Sequence, residues 1–251
     1  MTNETTLRMP QELLLRGGFK DDEAAVRYGV WGIEHMCQEL GLEDLGETEV
    51  LDFGCGFSFT QALINRSLPI RRYVGVDVSE AIIEFLQRNV DDPRFEYQRI
   101  NAHNEMYNPN GEPLSELVLP IGQRKFDLIC LFSVFTHLAP HDFETMLRLL
   151  RAYVKPDGRL FFSVYIDELT EEGHGLMDKV ALAAGDSHVG NIETFQDLNP
   201  EKPLDWAMYS ERYARELIEA TGWRALRLSP PATDPSSGRI FIQHHFVCAP
   251  S

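Results

Sequence analysis

The sequence predicts an α/β fold in which a mostly parallel sheet is flanked by helices. Short apolar runs that read as buried strands recur along the 251-residue chain, and helix-length amphipathic segments separate them. A glycine turn follows the first apolar run directly, as at the tip of a strand in such a sheet. Because strands separated by helices form βαβ units, their strands are expected to lie parallel in one sheet.

Seven segments have the length and apolar character of strands, and five segments have helical spacing. The predicted strands are residues 49–53, 72–76, 95–100, 126–131, 159–165, 223–228 and 240–247. The predicted helices are residues 21–40, 59–67, 80–90, 142–154 and 210–221. Acidic residues open the first helix, Gly41 ends it, and Ser79 is a candidate cap for the third. Residues 155–158 are predicted to form a turn.

The composition limits the classes of partner. The formal net charge is −16 and the chain has no run of Lys and Arg, so we expect no binding to nucleic acid or anionic lipid. No apolar segment approaches the ~20 residues that span a bilayer, and the first ten residues do not resemble a secretory signal. Four cysteines without metal-ligand spacing are expected to be buried thiols. These features predict a cytoplasmic protein that does not bind membranes.

The first chemical signal is the segment Asp52-Phe53-Gly54-Cys55-Gly56 at the end of the first predicted strand. In an open α/β sheet, ligands bind outside the carboxyl ends of the strands. Glycines at Gly54 and Gly56 allow a ligand to approach the backbone closely, and the next helix offers free N–H groups. By itself this pattern also fits a plain tight turn.

A second motif reduces the classes of ligand that are expected at this turn. Asp77 ends the second predicted strand, where a carboxylate can accept hydrogen bonds from both hydroxyls of a ribose. A dinucleotide fingerprint requires Gly-x-Gly-x-x-Gly, and its third glycine position is occupied here by Phe59. The spacing therefore disfavours a pyrophosphate at this turn.

Taken together, these motifs resemble the class I S-adenosylmethionine-dependent methyltransferases. The resemblance covers roughly residues 45–165 and rests on residues 50–56, Asp77, residues 126–129 and residues 149–160, the last being similar to the family's "L-x-x-x-x-x-L-K-P-G-G" region. It implies a Rossmann-like, seven-stranded, mostly parallel sheet with an antiparallel last strand. It also implies S-adenosyl-L-methionine as the cofactor.

The resemblance also implies roles for individual residues. Asp52, Gly54 and Gly56 would hold the methionine end of the cofactor, and Asp77 the ribose. The adenine would lie against Val78, Asn101, Ala102 and His103, while Phe132 and the three residues after it would line the sulfonium side. Tyr28 is expected either to close over the methionine end or to be a core tyrosine.

Histidines after the fourth predicted strand are the candidates for catalysis. His137 and His141 lie near the expected methyl group, and a histidine can take a proton from an oxygen nucleophile near neutral pH. A structural role stays open for both. Tyr209 is a candidate substrate contact, His244 and His245 are expected to be structural, and no metal site is predicted.

The expected organisation is a single domain over residues 1–251. Residues 1–45 would form an N-terminal helical arm, 46–165 the cofactor-binding core, 166–209 a lid insertion containing a helix near 176–184, and 210–251 the end of the core. The predicted acceptor is a small molecule, favoured to be a hydroxyl of a sugar or sugar-containing metabolite. The alternatives are an NAD(P)-dependent oxidoreductase and a non-catalytic S-adenosylmethionine-binding protein, and a homodimer is possible.

Overall fold

The computed structural model describes residues 6–104, 107–167, 192–199, 201–232 and 243–251. Its helices are α1 (Gln11–Arg16), α2 (Asp22–Leu40), α3 (Ser58–Asn65), α4 (Glu80–Asn89), α5 (Pro140–Arg151) and α6 (Glu211–Ala220), with 3₁₀ turns at Leu114–Glu116 and Phe135–His137. Its strands are β1 (Leu45–Phe53), β2 (Ile70–Asp77), β3 (Phe95–Arg99), β4 (Phe126–Leu131), β5 (Val154–Asp167), β6 (Phe195–Asp197), β7 (Ala207–Ser210), β8 (Trp223–Ser229) and β9 (His244–Pro250).

The described strands form one sheet with a parallel centre. Strands β3, β2, β1, β4 and β5 follow one another in parallel pairs. Strand β9 pairs antiparallel with β5 and with β8, so all seven predicted strands are present and the last one is antiparallel. This confirms the predicted fold class. Since β1 lies between β2 and β4, the carboxyl ends of these three strands meet at one edge.

Two short strands extend the sheet beyond the prediction. Strand β7 pairs in parallel with the last residues of β5, and β6 pairs antiparallel with β7. Both belong to the segment predicted as a lid insertion, so its described part is joined to the sheet by backbone hydrogen bonds. The helix predicted near residues 176–184 lies outside the described residues.

Several predicted boundaries shift for local reasons. Helix α5 begins at Pro140 rather than Asp142, because a proline fits the first turn of a helix, where its missing N–H is not needed. The turn predicted at residues 155–158 lies within β5, where it forms an irregularity: Val154 pairs with Phe126, but Arg159 pairs with Leu128. Ser79 occupies the N-cap of α4 without a side-chain capping bond.

The core lies on both faces of the sheet. Successive residues of β4 alternate between the two buried clusters, with Leu128 and Cys130 on the face covered by α1 to α4 and Ile129 and Leu131 on the face covered by α5 and α6. All four cysteines are buried and none forms a disulfide. Among the described residues, no helix is long and apolar enough to cross a membrane.

Candidate active site

The glycine turn after β1 is shaped by its own backbone. Gly54 and Gly56 have φ values of +76° and +49°, which favour glycine. The N–H groups of Gly54 and Cys55 both donate to the carbonyl oxygen of Val76 on β2, over 2.8 and 3.1 Å. A Cβ at Gly54 would lie 2.6 Å from Cγ2 of Val134 in the loop after β4. The turn is therefore packed between the tips of two neighbouring strands.

Asp77 closes the turn from the end of β2. Its Oδ2 accepts a hydrogen bond from the Gly56 N–H over 2.9 Å, and its Oδ1 accepts one from the Ser79 N–H over 2.8 Å. Burial raises the pKa of this carboxyl, while these backbone donors oppose the shift. The side chain is thus held in one orientation at the rim of the sheet.

Asp52 is directed into the core rather than toward solvent. It is 3% exposed, and its Oδ2 accepts a 2.5 Å hydrogen bond from the Tyr73 hydroxyl. Burial raises the pKa of Asp52 to about 7, and hydrogen bonds from Tyr73 and Cys130 act in the opposite direction. Asp52 therefore joins β1 to β2 and β4 just below the glycine turn.

A cavity of about 950 Å³ opens at this edge of the sheet. Its volume is within the range of small-molecule and cofactor sites. The structure brings most of the sequence-predicted site residues to its wall: Tyr28, Asp52, Gly54, Gly56, Asp77, Val78, Ala102, His103, Phe132 and His137.

Three predicted site residues are not among the residues that line the cavity. The Asn101 side chain is exposed and bonds to Glu112 and Asn108. His141 is exposed in the first turn of α5. Tyr209 is fully buried, and its hydroxyl donates to the carbonyl oxygen of Leu138 over 2.6 Å.

His137 is the cavity histidine whose hydrogen bond defines its tautomer. Its Nδ1 lies 2.9 Å from the carbonyl oxygen of Leu204, in the segment that precedes β7. Because a carbonyl oxygen only accepts, Nδ1 must carry the proton, and Nε2 of the neutral ring is then an acceptor. The ring of Tyr107 lies edge-on to His137 with centroids 6.3 Å apart. His137, a residue of the cavity wall, thus has Nε2 as the ring nitrogen left to accept a hydrogen bond.

The loop after β4 is held in a strained conformation. Ser133 has a φ of +55°, which is uncommon for a residue with a side chain. Its N–H donates to Oγ of Ser163 over 2.7 Å, and its hydroxyl hydrogen-bonds to the side chain of Gln243. These contacts with β5 and with the residue before β9 hold Phe132 and Val134 against the cavity.

Many residues of the cavity wall were missed by sequence reasoning, and three of them are large side chains from irregular segments. Arg16 and Phe19 come from the segment around α1, and Tyr107 comes from the irregular loop after β3. Both segments lie outside the regular βα pattern, so no periodicity marks which side chains turn inward. A Gly-Gly pair at residues 17–18 and an Asn/Pro/Gly-rich stretch around 107–111 were the available signs of loops.

Residues 51–160 match the family model described as "Methyltransferase domain". This part of the chain is therefore similar to a methyltransferase domain. The match begins in β1 and ends in β5, so it includes the glycine turn, Asp77 and the loop after β4.

Two solved methyltransferase structures have folds similar to that of this chain. The 1,6-didemethyltoxoflavin-N1-methyltransferase of Burkholderia thailandensis, crystallised with 1,6-didemethyltoxoflavin and S-adenosylhomocysteine, is 20% identical at a TM-score of 0.53, covering 92% of this chain and 80% of that one. Magnesium protoporphyrin IX methyltransferase of Synechocystis PCC 6803, crystallised with S-adenosylhomocysteine, is 15% identical at a TM-score of 0.55, covering 90% and 84%. At these identities the likeness concerns the class I fold.

A curated relative is similar over about half of this chain. The uncharacterized protein RP028 of Rickettsia prowazekii (strain Madrid E) is 26% identical over 119 residues, which is 47% of this chain. The matched segment spans 43% of the relative's length. The two proteins are thus comparable over less than half of either chain.

The cavity fits S-adenosylmethionine as its cofactor. Gly54 presents backbone without a Cβ, and the Asp77 carboxylate is oriented at the tip of the next strand. Val78 and Ala102 provide apolar wall beside it, as a flat base requires. An apolar wall, a carboxylate and glycine backbone are features that the adenine, ribose and methionine parts of the cofactor can use.

Proposed function

We propose that the protein transfers a methyl group from S-adenosylmethionine to a hydroxyl group of a small molecule, and that this acceptor is a sugar or a sugar-containing metabolite. The observation that carries the proposal is the hydrogen bond from His137 Nδ1 to the Leu204 carbonyl oxygen. It leaves Nε2 as the basic nitrogen of a histidine that lines the same cavity as Asp77.

The proposed reaction requires few catalytic groups from the protein. S-adenosylmethionine supplies a methyl group already activated by its sulfonium, so the chain mainly orients the acceptor and excludes water. An acceptor hydroxyl has a high pKa and gains from a base that removes its proton during transfer. We assign this role to His137 and not to His141, whose exposed position lies outside the cavity lining.

Residues beside His137 support a polar acceptor. Asn104, Tyr107 and Asn108 line the cavity from the loop after β3. The Asn104 and Asn108 backbones pair with each other, which fixes these two residues relative to one another. Amide and phenol groups on one wall are the donors and acceptors that a polyhydroxylated molecule needs.

The proposal is tested by a product screen with cofactor carrying a labelled methyl group. Sugars, nucleotide sugars, phenols, carboxylic acids and amines are supplied in parallel, and label transfer is followed by mass spectrometry. We expect label on a hydroxyl of a sugar-bearing acceptor. Transfer to an amine or carboxylate would overturn the acceptor class while retaining methyl transfer.

Binding titrations separate the remaining alternatives. We expect S-adenosylhomocysteine to bind and NAD not to bind. Binding of NAD alone would support an oxidoreductase, and binding of S-adenosylhomocysteine without any methylated acceptor would support a non-catalytic binding protein. A cytoplasmic location and a homodimer stay predictions, which cell fractionation and light scattering would check.

A further inference from the structure

The N-terminal segment forms one wall of the cavity. Leu13, Arg16, Gly17 and Phe19, in and just after α1, all line it. A Cβ at Gly17 would lie 2.9 Å from the ring of Phe57, the residue that follows the glycine turn. The α1 C-terminus, where Arg16 lies, is therefore packed beside the glycine turn.

Polar contacts on both sides of α1 hold the segment in this place. The buried Gln61 side chain of α3 donates to the Leu7 carbonyl oxygen over 3.1 Å and to the Asp22 carboxylate over 2.6 Å. Asn65 exchanges two hydrogen bonds with the Leu7 backbone, and the Met9 N–H donates to Asp22. Because α3 starts directly after the glycine turn, these contacts fix α1 relative to that turn.

The charges around the cavity single out Arg16. The lining includes the carboxylates Asp52, Asp77, Glu80 and Glu84, and two guanidinium groups, Arg16 and Arg99. Arg99 lies 3.5 Å from the Glu80 carboxylate. Within the part of the chain that the structure describes, Arg16 forms no salt bridge. A cation is thus left at the glycine-turn end of an otherwise acidic wall.

We propose that Arg16 binds the α-carboxylate of the cofactor's methionine part. This assignment rests on the proposed function, in which Asp77 holds the ribose and the methionine part extends along the glycine turn. S-adenosylmethionine has a single carboxylate, and a guanidinium group recognises a carboxylate through two parallel N–H···O bonds. The N-terminal arm would then be part of the cofactor site and not only a cover.

The test compares two ligands that differ only in this carboxylate. Binding of S-adenosylmethionine and of decarboxylated S-adenosylmethionine is measured by calorimetry for the wild type and for Arg16→Gln. We expect Arg16→Gln to lower the affinity for S-adenosylmethionine by about tenfold or more, which is the scale of a lost charge-assisted hydrogen bond. The affinity for the decarboxylated ligand should change by no more than about twofold. Arg16→Lys is expected to keep part of the affinity.

The matched control is Arg8→Gln, which removes the same charge from the same segment at an exposed position outside the cavity lining. It should leave both affinities unchanged. Equal weakening of both ligands by Arg16→Gln, or no weakening of either, would overturn the carboxylate assignment while methyl transfer stands. If the wild type binds neither ligand, the proposed function fails together with it.

Discussion

The Tyr73 hydroxyl donates a 2.5 Å hydrogen bond to Oδ2 of Asp52. The two residues lie on neighbouring strands, and both are buried beneath the glycine turn. The Asp52 carboxyl is therefore engaged by β2, although Asp52 also lines the cavity. Asp52 supports the turn from below, while Gly54 and Gly56 allow a close approach to the backbone.

Asp52 should make stability depend on pH. Its pKa is about 7 in the folded protein, against an ordinary value of 3.8, so the folded state retains a proton that the unfolded chain releases. This retained proton means that the free energy of unfolding falls as pH rises from about 4 to 7, by up to roughly 4 kcal/mol. Asp52→Asn carries no such charge. We expect the stability of Asp52→Asn relative to the wild type to rise across this window.

Urea unfolding at pH 5 and pH 8 measures this difference. Tyr73→Phe is the companion variant, because loss of the donor should raise the Asp52 pKa further and move the fall in stability to higher pH. A difference between Asp52→Asn and wild type that stays constant with pH would show that Asp52 titrates normally.

Asp77→Ala should weaken cofactor binding. The Asp77 carboxylate is oriented by the N–H groups of Gly56 and Ser79, so its loss removes an acceptor for ribose and loosens the turn. We expect S-adenosylhomocysteine affinity to fall by about tenfold or more in calorimetry. Asp127→Ala is the control, since it removes a strand carboxylate that pairs with Lys155 outside the cavity. Equal affinities of the two variants would refute the ribose assignment.

His137→Ala should separate catalysis from binding. If Nε2 of His137 accepts the acceptor's proton, kcat should fall by about 10²- to 10⁴-fold, while S-adenosylhomocysteine affinity stays close to wild type. His141→Ala is the control, because that histidine is exposed four residues further along the chain. Steady-state kinetics with the acceptor found by the product screen measure both. Full turnover by His137→Ala would make this histidine structural.

Gly54→Ala should damage the site sterically. The new Cβ would lie 2.6 Å from Val134 Cγ2 at a backbone with φ of +76°. Gly41→Ala places a Cβ at a similar φ of +68° with no atom within 4 Å, so it carries only the backbone strain of about 1 kcal/mol. We expect the free energy of unfolding, measured by thermal unfolding, to fall by about 1–3 kcal/mol more in Gly54→Ala than in Gly41→Ala. Similar losses would show that Val134 gives way freely.

The parallel core could be predicted because its signals are local. Strands β1, β2, β4 and β5 each contain a short apolar run next to a helix or a turn, and β4 was predicted with its observed bounds. The boundaries that moved, at Pro140 and at residues 155–158, depend on how the chain docks. The bulge in β5 exists only because Val154 and Arg159 pair with residues two apart on β4.

Tyr209 illustrates what a single sequence leaves open. Its position before a helix made it a candidate substrate contact, but β7 pairs with the end of β5 and turns the ring into the core. There it packs on Phe143 with centroids 4.8 Å apart, and its hydroxyl reaches Leu138. Which face of a four-residue strand is buried depends on its partner strand, and that partner is distant in sequence.

The sequence by itself determined the parallel sheet, the glycine turn and the position of Asp77 at a strand tip. These depend on backbone conformations and side-chain periodicities within a few residues, which local chemistry dictates. Only the tertiary structure decided that Arg16 and Tyr107 join the cavity, that His141 and Tyr209 do not, and that Nδ1 of His137 bonds to Leu204. Those outcomes depend on contacts between segments far apart in the chain, such as Leu204 with His137 and Gln61 with Leu7. No periodicity records such contacts, because they form only when the elements pack together.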